Sequence, residues 1–129
     1  MTKKNIKLQS DIPAIRTVMM PSDTNPMGSI FGGRILSLID LAAGVHARSV
    51  APKRYVTKIM REVNFIAPVS VGDLVSFYTK TVKLGTTSIA IRVDVEVHRG
   101  VDLVEVVSVT SAEVVMVAVD DQKRPIAIL

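Results

Sequence analysis

The stretch "NPMGSIFGGRILSLIDLAAG", residues 25–44, decides the fold because it joins a glycine-rich loop to a long apolar segment. From Arg34 the chain continues as "RILSLIDLAAGVHARS" without proline and with few β-branched residues, which predicts a helix over residues 34–49. Apolar residues occupy nearly all its faces, so we expect a helix that is buried nearly all round. Since a bilayer span takes roughly 20 apolar residues, this segment is predicted to be the core helix of a soluble domain.

The composition favours one domain rich in β-strands. The chain has 129 residues, of which 48% are hydrophobic but only 4% aromatic, so the core is made largely of valine, isoleucine and leucine. There is no cysteine, which excludes a disulfide framework and a thiolate site. The first residues, "MTKKNIKLQSD", lack the apolar segment of a signal peptide, so we expect a cytoplasmic protein.

The charge of the chain narrows the class of partner only slightly. Lysine and arginine outnumber aspartate and glutamate by 16 to 12, a net charge of +4. The basic residues are scattered singly without interleaved aromatic residues, which argues against nucleic acid. The net positive charge is compatible with a small-molecule partner that carries phosphate. It is equally compatible with surface charge that serves only solubility.

The remaining segments predict an α+β domain. Residues 1–12 are predicted to be a flexible N-terminus and residues 13–129 a single domain. The clearest strand is "SIAIRVDVEVHR", where alternation predicts one buried face and one wet face that includes His98. The four strands after the helix are predicted to form an antiparallel meander, and the helix is predicted to cover one face of the sheet. The five predicted strands are residues 14–20, 55–67, 74–84, 88–99 and 103–120.

Asp40 is the one acidic residue in the apolar segment, between Ile39 and Leu41. An unpaired ionised carboxylate in an apolar core costs several kcal/mol, so this one must be paired, hydrogen-bonded, neutral or facing a cavity. Two interpretations remain open: a core aspartate that holds a loop or strand by backbone hydrogen bonds, and a catalytic or ligand-facing group.

The loop before the helix offers complementary chemistry. Gly28, Gly32 and Gly33 allow close approach of backbone amides to a ligand, and a helix N-terminus suits an oxyanion. A tight turn packed on the sheet explains these glycines equally well, and Asn25 by itself is typical of a turn. With Asp40 about two turns later, the combination predicts an acyl-transfer site.

Other chemistries lack their residues. His46 and His98 are the only histidines, which excludes a three-histidine metal site and argues against a catalytic triad. No phosphate-binding loop or dinucleotide motif is present. A carboxylate that activates water, with backbone donors for the oxyanion, is the chemistry that remains.

Three segments carry a resemblance to a known family. "PSDTNPMGSIFGGRILSLIDLAAG", "VNFIAPVSVGD" and "KLGTTSIAIRVDVEV" resemble hotdog-fold acyl-CoA thioesterases of the cytosolic acyl-CoA hydrolase branch, the YciA type in particular. The resemblance covers roughly residues 13–122. It implies a curved five-stranded antiparallel sheet wrapped around one central helix.

The same resemblance implies a reaction and an assembly. The reaction is hydrolysis of acyl-CoA to a free acid and CoA, with no cofactor beyond the CoA of the substrate and no metal, nucleic acid or membrane partner. The minimal unit is a homodimer with one continuous sheet and active sites at the interface, commonly a trimer of dimers. The alternative is an acyl-CoA-binding hotdog protein without turnover.

Residue roles also follow from the resemblance. Asp40 matches the catalytic carboxylate, acting on water or by direct attack, and Asn25 matches an asparagine supplied by the partner subunit. Gly32 and Gly33 match the positions where an amide polarises the thioester carbonyl. The expected substrate-binding residues are Phe31 and Arg34 beside these glycines, and Gly85, Thr86, Thr87 and Ser88, which match a segment near CoA or form a plain turn.

Overall fold

The computed structural model describes residues 12–129 of the chain, so the predicted flexible N-terminus lies outside the described residues except for Ile12. The described residues form one five-stranded antiparallel sheet and one α-helix, as predicted. A single 3-10 turn, Pro21–Asp23, lies between the first strand and the helix. The elements are β1 (Ile15–Val18), α1 (Gly32–Val50), β2 (Arg54–Phe65), β3 (Leu74–Leu84), β4 (Ser88–Arg99) and β5 (Glu105–Val119).

The strand order is β1-β3-β4-β5-β2, so the predicted four-stranded meander is wrong. Strands β3, β4 and β5 follow one another as hairpins, but β2 pairs with β5 instead of β3. The connection over residues 66–73 is longer than a hairpin turn, although it ends in a tight turn in which Asp73 N donates to the carbonyl of Ser70 at 3.1 Å. It crosses the sheet, where the carbonyl of Val69 accepts from Ile30 N at 2.9 Å and the carbonyl of Asp73 accepts from Met19 N at 3.0 Å.

Strand β4 shows the predicted alternation on its inner face. Its inward valines and isoleucines are fully buried against the helix. Its outer face is not uniformly wet, because His98 is buried there, contrary to the prediction. The chain after β4 folds back over this side chain, and Nδ1 of His98 lies 3.3 Å from the carbonyl oxygen of Leu103.

Helix α1 is buried on one face only, so the predicted burial nearly all round is wrong for the single chain. The sheet covers one side of a helix, and the opposite side is left to solvent. On that side Leu41 is 58% exposed and Val45 38% exposed. No helix within residues 12–129 is long and apolar enough to cross a membrane. The covered face consists of Ile35, Leu38, Ile39, Ala42, Ala43 and Ala47.

Strand β2 forms one edge of the sheet, and none of its residues is fully buried. Val56, Ile59 and Phe65 are exposed along it. Its register with β5 shifts twice, between Thr57 and Ile59 and again before Asn64. A long edge strand with exposed apolar side chains is a surface that can pair with another chain.

Candidate active site

Asp40 lies near the middle of α1 and is half-buried. Its Oδ1 accepts a hydrogen bond of 2.6 Å from the hydroxyl of Thr57 on β2. Of the alternatives left open by the sequence, the structure shows a hydrogen-bonded carboxylate that faces a cleft. The other arrangement, a core aspartate that holds a loop or strand by backbone hydrogen bonds, is not observed among the described residues.

The cleft lies between α1 and β2 and has a volume of about 600 Å³. The end of β5 and the turn that follows it close one side. Apolar side chains and charged side chains both contribute to its wall. The lining residues are Asp40, Leu41, Gly44, Arg48, Lys53, Arg54, Tyr55, Val56, Thr57, Met116, Val119, Asp120, Asp121 and Lys123.

Thr57 is a site residue that the sequence analysis missed. It pairs with Met116 of β5 and shares the helix-facing side of β2 with Tyr55. The available signal was a hydroxyl residue on the inward side of a strand beside the helix. Because Thr57 fixes one carboxylate oxygen of Asp40, Oδ2 is left for a water molecule or substrate.

Asn25 lies in the loop before α1 and is engaged within that loop. Its Oδ1 accepts from Met27 N at 2.9 Å and from Ser29 N at 3.3 Å, and its Nδ2 donates to Ser29 Oγ at 3.0 Å. Among the described residues of one chain, no hydrogen bond joins Asn25 to Asp40. A single chain therefore presents Asn25 as the turn residue that its local sequence suggests.

Gly32 and Gly33 are the first two residues of α1. Their N–H groups precede the first intrahelical hydrogen bonds, so they are available to an acceptor. A Cβ on Gly32 would come 3.3 Å from the ring of Phe65, and a Cβ on Gly33 would overlap the ring of Phe31. A side chain at either position would have to push aside a phenylalanine ring, and both rings are 56% exposed.

The residues around the helix start border two smaller hollows, separate from the cleft of Asp40. Gly32 lines one of about 310 Å³ beside Phe65. Phe31, Gly33 and Arg34 line the other, of about 300 Å³. The Nε of Arg34 forms an ion pair of 3.1 Å with Asp23, which holds this side chain against the preceding loop.

The turn of Gly85, Thr86, Thr87 and Ser88 joins β3 to β4. Gly85 N donates to the carbonyl of Ser88 at 2.8 Å, which closes the turn. The carbonyls of Thr87 and Thr86 accept from Ala118 N at 2.9 Å and Ile128 N at 2.8 Å. The turn is thus bonded to the end of β5, next to the cleft, but its residues do not line the cleft.

His46 and Tyr55, two titratable residues near the helix, are hydrogen-bonded to groups other than Asp40. His46 lies 2.9 Å from Thr79 Oγ1 and 2.7 Å from Thr81 Oγ1, and burial lowers its pKa. Burial raises the pKa of Tyr55, whose hydroxyl donates to the carbonyl of Ala51 at 2.9 Å. Residues 12–129 contain no group of histidine, aspartate and glutamate side chains suited to a metal ion.

Comparison with known proteins places this geometry in a family. The model of the thioesterase superfamily matches residues 27–104. An uncharacterized acyl-CoA thioester hydrolase of Haemophilus influenzae is 41% identical over 125 residues, covering 95% of this chain and 81% of that protein. The acyl-CoA thioester hydrolase YciA of Salmonella typhimurium is 39% identical over 113 residues, covering 86% and 85%.

Solved structures agree with these relatives. A mutant of HI0827, a hexameric broad specificity acyl-coenzyme A thioesterase, matches with a TM-score of 0.88 and 40% identity over 92% of this chain and 87% of that one. A hexameric hotdog fold thioesterase of Campylobacter jejuni matches with a TM-score of 0.82 and 46% identity over 89% and 90%. The chain therefore belongs to the thioesterase superfamily, has the hotdog fold, and is related to the YciA acyl-CoA thioester hydrolases.

Proposed function

We propose that the protein hydrolyses acyl-CoA thioesters to a free carboxylic acid and CoA, with Asp40 acting on the attacking water. The observation that carries this proposal is the carboxylate of Asp40, which faces a cleft of about 600 Å³ and has one oxygen held by Thr57. The other oxygen then accepts a proton from water as the water attacks the thioester carbon. The names of the relatives support the same reaction.

The oxyanion that forms on the thioester carbonyl needs hydrogen-bond donors. The N–H groups of Gly32 and Gly33 supply them in this proposal, since they lie at a helix start that carries partial positive charge. Within one chain, Gly32 and Gly33 line two small hollows, and Asp40 lines a different cleft. A second chain must therefore bring its helix start to the Asp40 cleft.

The exposed edge of β2 is a surface through which two chains can pair. The cleft lies at the Arg54 end of β2, and Gly32 packs against Phe65 at the other end. Pairing two β2 edges antiparallel about a two-fold axis places the Arg54 end of each chain beside the Phe65 end of its partner. We propose that this homodimer is the minimal active unit and that Asn25 reaches Asp40 from the partner subunit.

The remaining predicted residues take supporting roles in this proposal. Phe31 and Arg34, beside the helix start, shape the space for the acyl group. The turn of residues 85–88 lies against the end of β5 next to the cleft, where it supports the CoA portion. Assembly of three dimers into a hexamer is proposed by analogy with relatives described as hexameric.

Hydrolysis is tested by measuring free thiol release from a panel of acyl-CoA substrates of different chain length. Asp40→Asn is expected to lower kcat about 10²-fold or more, the scale of a lost general base, with the fold retained. Asp94→Asn is the matched control, since Asp94 is an exposed carboxylate on the outer sheet face, paired with Arg92. Full turnover by folded Asp40→Asn would refute the role of Asp40, and tight binding of acyl-CoA without release of thiol by the wild type would favour the binding protein.

The shared site is tested by mixing two inactive variants. If Asn25 and Asp40 act from opposite subunits, a mixed dimer of Asn25→Ala and Asp40→Asn has one intact site and one doubly altered site. Random mixing then restores about a quarter of wild-type activity by counting dimers. Subunit exchange is first verified by mass spectrometry of differently tagged chains. No recovery after verified exchange would place both residues in one chain.

A further inference from the structure

The connection between β2 and β3, residues 66–73, is joined to the start of α1 by a backbone hydrogen bond. Ile30 N donates to the carbonyl of Val69 at 2.9 Å, and Ile30 precedes the first helical residue, Gly32, by two positions. Both Ile30 and Val69 are buried. The position of Val69 therefore determines where the chain enters the helix relative to the sheet.

Two oppositely charged side chains hold the peptide groups on both sides of Val69. Arg99, the last residue of β4, donates through Nη2 to the carbonyl of Pro68 at 2.7 Å. Asp73 accepts through Oδ2 from Ser70 N at 2.8 Å. The Nε of Arg99 also donates to both carboxylate oxygens of Asp73, each at 3.1 Å. The two side chains thus fix Val69 from both directions of the chain and are bonded to each other.

The pair is partly shielded from water, which makes its geometry specific. Asp73 is buried, and the side chain of Arg99 is 26% exposed. A buried carboxylate that loses its cation keeps an uncompensated charge, so separation of this pair is costly. The planar guanidinium of Arg99 bonds Asp73 and the Pro68 carbonyl at once, which the single ammonium of a lysine does not reproduce. A third contact, 3.8 Å from Nη1 of Arg99 to the exposed Glu105, is weakened by solvent.

The connection also packs against the helix start. Gly32 lines the hollow of about 310 Å³ together with residues 65–69. The ring of Phe65 lies 3.3 Å from the position of a Cβ on Gly32. Because closely packed groups transmit a displacement to their neighbours, a shift of the connection moves the first turn of α1.

We infer that Asp73 and Arg99 are positioning residues for the oxyanion donors, the N–H groups of Gly32 and Gly33. The inference rests on the proposed function, which assigns these N–H groups to the thioester oxygen. Neither charged side chain lines the cleft of Asp40, so they act through the connection and not on the substrate. A displaced donor loses stabilisation mainly where negative charge develops, in the transition state, so the effect falls on kcat.

The test replaces Arg99 by glutamine and measures thiol release from acyl-CoA below the melting temperature of the variant. We expect kcat to fall roughly tenfold or more and KM to change little. Hydrogen exchange measured by mass spectrometry should become faster in peptides that contain Ile30. Arg92→Gln is the matched control, since Arg92 lies on the same strand and pairs with Asp94 at 3.2 Å on the outer sheet face. Val93→Ala, in the core of β4, is the control for stability alone and should lower the melting temperature but keep kcat.

Double-mutant cycles show which part of the site Arg99 acts on. Gly33→Ala alters the helix start, and Thr57→Val alters the hydrogen bond to Asp40. If Arg99 acts through the helix start, the loss of kcat in Arg99→Gln/Gly33→Ala is smaller than the product of the single losses. In Arg99→Gln/Thr57→Val the two losses multiply.

Four results would overturn the inference: wild-type kcat in folded Arg99→Gln, unchanged exchange at Ile30, an equal loss of kcat in Val93→Ala, or losses that multiply in the cycle with Gly33→Ala. If Arg99→Gln does not fold, Arg99→Lys carries the same test, because it keeps the charge beside Asp73 but not both hydrogen bonds. Wild-type protein that hydrolyses no acyl-CoA would refute the proposed function itself, whereas exchange at Ile30 would still report whether the pair holds the helix start.

Discussion

Replacing Thr57 by valine tests whether the orientation of Asp40 matters for turnover. Valine has nearly the same shape as threonine but cannot donate to Oδ1 of Asp40, a hydrogen bond of 2.6 Å in the structure. The carboxylate then loses the one side-chain partner that the described residues provide for it. We expect kcat to fall and KM to change little, because Thr57 acts through Asp40 and not on the substrate.

The size of the effect follows from the kind of hydrogen bond. A hydrogen bond to a charged group contributes about 1.5–3 kcal/mol when it is well shielded from water. Thr57 is exposed and Asp40 half-buried in the single chain, so solvent weakens this contribution. We therefore expect a loss near the lower bound, about 1.4 kcal/mol, which corresponds to a tenfold lower kcat.

The assay is thiol release under saturating acyl-CoA, with Thr57→Ser as the variant that keeps the hydroxyl and should keep most of the activity. A double-mutant cycle with Asp40→Asn adds a second criterion. If Thr57 acts through Asp40, Thr57→Val has little further effect in the Asp40→Asn background. Wild-type kcat in Thr57→Val, or fully additive losses in the cycle, would refute the positioning role.

Three further predictions concern stability and the helix start. Because burial lowers the pKa of His46, the unfolded chain binds its proton more readily, so stability falls as pH drops below the usual histidine pKa of about 6.5. Melting temperatures at one protein concentration should fall less steeply with acidification for His46→Gln than for the wild type; equal slopes would contradict this. Asp73 is 4% exposed and accepts a hydrogen bond of 3.1 Å from Arg99. Asp73→Ala should therefore lower the free energy of unfolding, measured in urea, by about 3 kcal/mol. A decrease below about 1 kcal/mol would show that solvent screens this ion pair. Gly33→Ala should displace the exposed ring of Phe31 and lower the rate of thiol release about tenfold, while the melting temperature stays nearly unchanged. Failure of this variant to fold would show that the ring cannot move.

Sequence patterns determined the secondary structure closely. The bounds of β3 and β4 agree with the predicted residues 74–84 and 88–99, and the helix begins two residues before the predicted Arg34. These elements carry local signals: alternation with period two, helical spacing without proline, and glycine at the turns. Such signals depend only on residues close in the chain, so they can be interpreted without knowing which other segments pack against them.

The candidate site was only partly accessible from the sequence. Asp40 was singled out because a carboxylate in an apolar segment is costly, and the structure places it at a cleft. Its partner Thr57 lies on another element, and the cleft combines residues of α1, the start of β2 and the turn after β5. The catalytic roles of Asp40 and Asn25 stay predictions.

Tertiary structure decided which elements become neighbours. The pairing of β2 with β5, the burial of His98 under the following loop and the exposure of Leu41 all differ from the sequence interpretation. Periodicity states which side of a strand or helix a residue occupies, but not what covers that side. The cover is set by packing between segments far apart in the chain, where many registers satisfy the same alternation and the one that buries the most apolar surface is adopted.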